Sequence, residues 1–81
     1  MHYTYILDCN DSSTYVGCTS DLKRRIKEHN EGKIKHTQKK RPVELLCYFA
    51  HKNKYIAFDL ERYFKSGSGR AFLNKHIFLR E

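Results

Sequence analysis

Two short runs rich in aromatic and β-branched residues predict a β-hairpin near the start of the chain. Residues 3–7 and residues 14–18 both have the composition of strands. Residues 10–13, which separate them, are all turn-forming types. We therefore expect two antiparallel strands. The pattern leaves their register open, so it does not decide whether Tyr5 and Tyr15 share a face of the sheet.

A helical spacing of apolar residues follows the hairpin. Leu22, Ile26 and His29 recur on one side of a helix, so residues 21–30 are predicted to form a short amphipathic helix. Polar residues directly before this segment can cap its first turn, and Gly32 lies just beyond its end.

The second half of the chain predicts a loop, a strand and two helices. Residues 33–41 are polar, basic and aperiodic, which favours a loop. An almost continuous apolar run then predicts a strand over residues 43–49, and such a run is typical of a central strand covered on both faces. An apolar stripe predicts a helix over Lys54–Lys65, which the glycine- and serine-rich residues 66–69 break before a final short helix.

The element order β-β-α-β-α-α indicates an α+β fold with a central three-stranded antiparallel sheet flanked by helices. The 81 residues leave room for one domain, residues 1–81, which buries roughly 60% of its unfolded surface. No apolar run approaches the ~18 residues of a membrane span and no secretory signal is evident, so we expect no membrane partner. The three cysteines are scattered and include no Cys-x-x-Cys pair, which argues against a disulfide framework and favours a cytoplasmic location.

Positive charge is concentrated in one part of the chain. The formal net charge is +7, and all nine Lys and Arg residues of the first 41 positions fall between positions 23 and 41, opposed there only by Glu28 and Glu31. Such a segment attracts phosphate groups, so nucleic acid is the expected partner. The plainer alternative is a solvated charged face.

Several reactive or charged side chains lie where the predicted elements could bring them together. Arg25 and His29 are four residues apart, so they share a face of the first helix. Glu61 lies at the edge of the apolar stripe of the second helix. Together with Tyr5 and Tyr15, these groups could hold a phosphate, a divalent cation and a water molecule. Each could instead be a packing residue or a surface charge.

Segments along nearly the whole chain resemble the GIY-YIG nuclease superfamily. The likeness is carried by residues 3–7, by the second motif at residues 15–17, and by the arginine and histidine of residues 21–30. Residues 41–45 and Glu61 continue the pattern. The chain looks most similar to the small stand-alone bacterial proteins that resemble the nuclease domain of the excision-repair incision subunit. That family has a central three-stranded antiparallel sheet, which agrees with the fold expected from the pattern.

The resemblance implies a role for each matching side chain. Tyr5 and Tyr15 would be the two motif tyrosines, and Arg25 would contact the scissile phosphate. His29 stands at a position that carries His or Tyr in the family, and Glu61 would be the carboxylate that binds the catalytic Mg²⁺ or Mn²⁺.

Three further positions relate to the family pattern. Gly17 would be the structural glycine of the second motif, and Asn74 is the candidate for an asparagine that steadies the site in many members. Cys18 stands where some members carry a lysine. A base-assisting role at that position is therefore lost, or has moved to Lys23 or Lys27.

The resemblance thus implies a metal-dependent endonuclease that hydrolyses phosphodiester bonds and nicks DNA, with DNA favoured over RNA and repair as the family-level role. A larger protein partner would supply specificity. Tyr5 is the favoured general base, once positive charge has lowered its pKa, and Tyr15 the positioning residue, although His29 could take either role. The expected nucleic-acid-binding residues are Lys23, Lys27, Lys33, Lys35, Lys39, Lys40 and Arg41.

Two other functions stay open. The same fold could be a non-catalytic nucleic-acid-binding module, because the first motif keeps only its final residue, Tyr5, and Cys18 replaces the lysine. A protein-interaction domain whose basic face meets an acidic protein is the other alternative. In either of them, Glu61 would be an ordinary helix residue paired with Lys65.

Overall fold

The protein is a three-stranded antiparallel sheet with helices packed on it, and the predicted α+β class is confirmed. A computed structural model describes residues 1–78. The elements are β1 His2–Cys9, β2 Thr14–Thr19, α1 Leu22–Asn30, β3 Val43–His51, α2 Lys54–Lys65, α3 Gly67–Leu73 and a π-helical segment, Asn74–Phe78.

β1 is the central strand of the sheet, whose order is β2-β1-β3. Its residues Tyr5, Ile6 and Leu7 are fully buried. The prediction that the third strand is central is wrong, because β3 is an edge strand whose Leu46 and Tyr48 are 40% and 52% exposed. β2, the other strand of the hairpin, pairs with one edge of β1, so β3 pairs with the opposite edge. The apolar composition of β3 could not distinguish these positions.

The two faces of the sheet pack against different helices. Side chains alternate along β1, so Tyr5 and Leu7 lie on the face that α1 covers. Ile6 lies on the opposite face, where it packs with Phe64 of α2 and Leu73 of α3. Side chains on α1 therefore meet the odd-numbered residues of β1, while α2 and α3 lie across the sheet from them.

Two side-chain hydrogen bonds tie the end of α1 to the start of β3. The Asn30 amide nitrogen donates to the Val43 carbonyl at 3.2 Å, and the Val43 N–H donates to Oδ1 of Asn30 at 2.8 Å. Gly32, at φ +81°, takes the left-handed conformation just after the helix. The intervening residues 33–41 form turns and bends, so the predicted loop is confirmed and both its ends are fixed by this anchor.

The second helix spans Lys54–Lys65 as predicted, and it ends at Ser66. The predicted break is only one residue long, since Gly67 and Gly69 belong to α3, which Ser66 caps. A Cβ at Gly69 would lie 2.7 Å from Cα of Phe64, so glycine allows α3 to approach α2 closely. Within residues 1–78, no helix has the length and hydropathy that a membrane crossing requires.

Candidate active site

The strand register places the two motif tyrosines on the same face of the sheet. Tyr5 is paired with Gly17 and Leu7 with Tyr15, so the side chains of Tyr5, Leu7 and Tyr15 point toward α1. The ring centroids of Tyr5 and Tyr15 are 6.2 Å apart. This is the relationship that the sequence pattern left open.

Gly17 leaves the space that the Tyr5 ring occupies. A Cβ at residue 17 would lie 2.5 Å from Cζ of Tyr5 and 2.9 Å from Cε1 of Tyr15. Both distances are far inside van der Waals contact, so any larger residue would displace one of the tyrosines.

α1 contributes a histidine that hydrogen-bonds to the buried tyrosine. Nε2 of His29 lies 2.9 Å from the Tyr5 hydroxyl, and both residues are fully buried. The His29 ring also makes an edge contact with Tyr15, with ring centroids 4.9 Å apart. His29 is therefore packed between the two tyrosines.

A third buried residue, Thr37, continues this chain of hydrogen bonds. Its Oγ1 lies 2.6 Å from Nδ1 of His29 and 3.5 Å from the Ile34 carbonyl, to which it donates. Because the Thr37 hydroxyl donates its proton to the Ile34 carbonyl, its oxygen accepts a hydrogen bond from Nδ1–H of His29. Nε2 then carries a lone pair and accepts the proton of the Tyr5 hydroxyl.

Burial and charge keep both ends of the Tyr5–His29 pair neutral. Burial raises the pKa of Tyr5 to about 12, although the Arg25 guanidinium beside the hydroxyl acts in the opposite direction. Burial, with a further contribution from Arg25, lowers the pKa of His29 to about 4. At neutral pH the phenol keeps its proton, and an uncharged imidazole is in place to receive it.

Arg25 lies beside this pair with hydrogen-bonding capacity to spare. Its interaction with the Tyr5 hydroxyl raises the pKa of Arg25, and its Nη1 lies 3.5 Å from Oε1 of Glu28. Its Nε is buried and, among residues 1–78, has no hydrogen-bond partner. An unpartnered buried guanidinium N–H is costly, so the protein's own groups do not fully satisfy this arginine.

Glu61 lies on α2, across the sheet from α1. Its side chain is 26% exposed, and its Oε2 accepts a hydrogen bond from Nζ of Lys65 at 3.0 Å. This is the i, i+4 pair that the sequence allowed. Burial is the main cause of the raised pKa of Tyr5 and of Cys18, and the negative charge of Glu61 raises both further. The carboxylate is therefore in electrostatic range of the tyrosine.

Glu61 offers a cation one carboxylate and not a complete set of protein ligands. Within residues 1–78 there is no cluster of three or more His, Cys, Asp or Glu side chains that could hold a metal ion. A single carboxylate that keeps water and substrate phosphate as its other ligands is a common environment for Mg²⁺.

Asn74 lies in a cleft of about 330 Å³ that Tyr15 also lines. It is the C-cap of α3, where its backbone N–H bonds to carbonyls of that helix. The structure thus places this residue beside the second motif tyrosine, and not against the Tyr5–His29 pair.

The predicted nucleic-acid-binding residues lie on α1 and in the loop that follows it. Lys23, Lys27, Lys35 and Lys39 are exposed, and Lys40 is half-buried. Two are engaged locally, since Nζ of Lys33 lies 3.4 Å from Glu31 and Nε of Arg41 donates to the Gln38 carbonyl. The remaining five lysines lie on α1 and in the loop.

Sequence patterns did not single out three residues that the structure brings to the site. Thr37 holds His29, His36 lies with its ring centroid 6.2 Å from that of Tyr15, and Arg70 lines the Asn74 cleft. Thr37 and His36 come from an aperiodic loop, whose side-chain directions no spacing rule gives. Arg70 belongs to a helix that was predicted only as a short terminal element.

Comparison with known proteins gives a consistent result. A family model described as the GIY-YIG catalytic domain matches residues 1–75. The UPF0213 protein YazA of Bacillus subtilis is 45% identical over 65 residues, which are 79% of this chain and 66% of that relative. The UPF0213 protein HQ_3675A of Haloquadratum walsbyi is 39% identical over 66 residues, which are 80% of this chain and 74% of the relative. This chain therefore spans just under two thirds of YazA.

A solved structure is similar as well. The solution NMR structure of the UPF0213 protein BH0048 from Bacillus halodurans superposes with a TM-score of 0.57 at 39% sequence identity. The likeness covers 91% of this chain and 82% of that chain.

Proposed function

Because this chain belongs to the GIY-YIG catalytic domain family, we propose that it is a metal-dependent endonuclease that hydrolyses phosphodiester bonds and nicks DNA. The observation that carries this proposal is the buried Tyr5–His29 pair beside the unpartnered Nε of Arg25. A buried proton donor, a neutral acceptor and a free cationic N–H are the groups that phosphodiester hydrolysis needs.

Arg25 binds the scissile phosphate. Attack by water adds negative charge to the phosphate oxygens, and a guanidinium already held beside the reacting groups stabilises that charge through charge-assisted hydrogen bonds. The weak contact with Glu28, at 3.5 Å, leaves the guanidinium free to turn toward the ligand.

The Tyr5–His29 pair receives the proton of the attacking water. The water gives its proton to the Tyr5 oxygen while the Tyr5 hydroxyl proton passes to Nε2 of His29, which becomes an imidazolium. Thr37 accepts the hydrogen bond from Nδ1–H throughout, so the ring keeps one orientation. Tyr5 is thus the proposed base, the role favoured from the sequence. The expected lowering of its pKa is wrong, because burial raises the pKa to about 12, and in this proposal His29 makes the phenol able to act by taking its proton.

Glu61 would hold Mg²⁺ or Mn²⁺ after Lys65 has left the carboxylate. A cation there would neutralise charge on the phosphate oxygens and on the leaving oxygen. Exposed lysines of α1 and of residues 33–41 would hold the DNA backbone. A larger protein partner would supply the specificity that so small a surface lacks.

Plasmid nicking by the purified chain tests the proposal. With Mg²⁺ or Mn²⁺ the wild type should relax supercoiled DNA, and Arg25→Ala should lower the rate by about 10²-fold or more. Arg24→Ala is the matched control. Arg24 is next to Arg25 in the sequence and its side chain is 75% exposed, so this substitution should leave the rate unchanged.

A second pair of variants tests the metal site. Glu61→Gln should abolish metal-dependent nicking, whereas Asp59→Asn, which removes a 68%-exposed carboxylate from the same helix, should not. Nicking that persists in EDTA, or that is equal in Glu61→Gln and the wild type, would contradict the mechanism.

The second candidate function is a non-catalytic nucleic-acid-binding module. The observation in its favour is the Glu61–Lys65 ion pair, which already satisfies the carboxylate that a metal would need. DNA binding that falls steeply with salt, in a protein that nicks no DNA with either metal, would favour this function over the first.

A further inference from the structure

A groove runs from Tyr15 across the end of the sheet to the β1–β2 turn. It consists of two adjoining depressions of about 330 Å³ and 400 Å³, which share Thr14, Arg70, Asn74 and Phe78 as lining residues. His36 lines the end near Tyr15, and Ser12 and Ser13 of the turn line the other end. We call it the Arg70 groove.

We propose that the Arg70 groove binds one nucleic-acid strand next to the scissile phosphate, with Arg70 as the ligand of a second backbone phosphate. The proposal rests on the nuclease function above, since Tyr15 is common to the site and the groove. It adds a binding surface beyond the lysines of residues 33–41, the basic loop, and one that the sequence did not indicate.

The surroundings of Arg70 support its role as a phosphate ligand. Its Nε makes one long hydrogen bond, 3.5 Å, to the Lys65 carbonyl, and among residues 1–78 no carboxylate forms an ion pair with it. Its terminal N–H groups are thus available as a fork, which is the geometry that matches two oxygens of one phosphate.

A second cation lies at the same groove. Lys65 lines the depression near Tyr15 and donates to Glu61 at 3.0 Å. If a metal ion takes the Glu61 carboxylate, Lys65 is released next to the groove, where a phosphate can replace its lost partner. Metal binding and strand binding would therefore support each other.

The lining of the groove suits a single strand. It combines cations with the half-buried aromatic rings of Tyr15 and Phe78, which suit a sugar or a base. His36 joins the groove to the basic loop, so a strand could pass from one to the other.

Salt-dependent binding tests the proposal without any cleavage. A short fluorescein-labelled single DNA strand is titrated in EDTA, and its affinity is measured by anisotropy between about 50 and 200 mM salt. Arg70→Ala should bind several-fold more weakly, and its slope of log K against log salt should be shallower by about 0.7, one phosphate contact. Arg62→Ala is the control, because that 83%-exposed arginine pairs with Asp59 on α2 and does not line the groove.

The proposal is wrong if the slope of log K against log salt is the same for Arg70→Ala and the wild type. It is also wrong if Arg62→Ala loses as much affinity as Arg70→Ala. Arg70→Lys keeps the charge and should recover most of the slope, which separates phosphate binding from a folding defect.

The assay also separates the two proposals. A wild type that nicks DNA while Arg70→Ala binds normally refutes the groove alone, and an Arg70-dependent slope in a protein that never nicks refutes the nuclease alone.

Discussion

The hydrogen bond between Tyr5 and His29 shows how burial decides the position of a proton. Either group could carry charge in water, but both are fully buried here. A phenolate or an imidazolium would have to be stabilised by neighbours, and the nearest full charge, Arg25, disfavours the imidazolium. The pair is therefore neutral in the folded protein near neutral pH.

The lowered pKa of His29 predicts that stability falls in mild acid. The unfolded chain has a histidine pKa near 6.5, while the folded value is about 4, so between these values the unfolded state binds more protons. From about pH 7 to about pH 5 the His29 contribution should lower the free energy of unfolding by about 2 kcal/mol. Urea denaturation at the two pH values measures this change.

The variant His29→Gln isolates the contribution of His29 to this pH dependence. His29→Gln cannot be protonated, so its free energy of unfolding should change less between the two pH values than that of the wild type. His36→Gln removes an exposed histidine from the adjacent loop and should behave as the wild type does. If His29→Gln keeps the full pH dependence, the imidazole is not buried in neutral form.

Some site residues could be expected from sequence and others could not, for a physical reason. Arg25 and His29 follow from the helical period, and the two tyrosines follow from the strand composition. Thr37 could not be expected, because its contact with His29 depends on the path of an aperiodic loop. The shared face of Tyr5 and Tyr15 depends on register, which is set by pairing between strands and not by either strand alone.

Among the elements, the junction between α1 and β3 has the clearest positioning role. Asn30 connects the end of the helix to the start of the strand with two hydrogen bonds, so it closes the loop that carries Thr37. The same loop carries His36 to the ring of Tyr15. The helix, the strand and the loop between them are therefore held as one unit around His29.

Removing the anchor should destabilise the fold moderately. Asn30→Ala loses two part-buried hydrogen bonds to Val43, each contributing about 0.5–1.5 kcal/mol, so the free energy of unfolding should fall by about 1–2 kcal/mol. Urea denaturation at neutral pH gives the value. Asn10→Ala is a suitable control, because within residues 1–78 only the backbone of Asn10 forms a hydrogen bond, and it should change the value by less than about 0.5 kcal/mol. A change in Asn30→Ala no larger than in the control would contradict the anchor.

Element prediction succeeded where a period or a turn cluster marks the chain. The helix over Lys54–Lys65 and the loop at residues 33–41 are present as expected. The position of β3 was wrong because a continuous apolar run has two explanations. One is a strand covered on both faces, and the other is an edge strand such as this one, with Leu45, Leu46 and Tyr48 exposed.

At the scale of the whole molecule, charge and chemistry are divided between regions. The net charge is +7, and exposed lysines lie on α1 and in the basic loop, whereas the Tyr5–His29 pair is buried. Long-range attraction to a phosphate backbone does not require contact with the reacting atoms. The basic loop and the buried pair should thus affect different kinetic quantities.

Neutralising the basic loop should therefore weaken binding without slowing the chemical step. In the double variant Lys35→Ala/Lys39→Ala, two exposed cations are removed that make no ion pair within residues 1–78. The DNA concentration needed for half-maximal nicking should rise several-fold at moderate salt, while the rate at saturating DNA stays near that of the wild type. Arg25→Ala should show the opposite pattern, because its guanidinium acts on the phosphate in the transition state. If the double variant instead loses its saturating rate, the loop takes part in catalysis, and the division between a binding surface and a reacting pair is wrong.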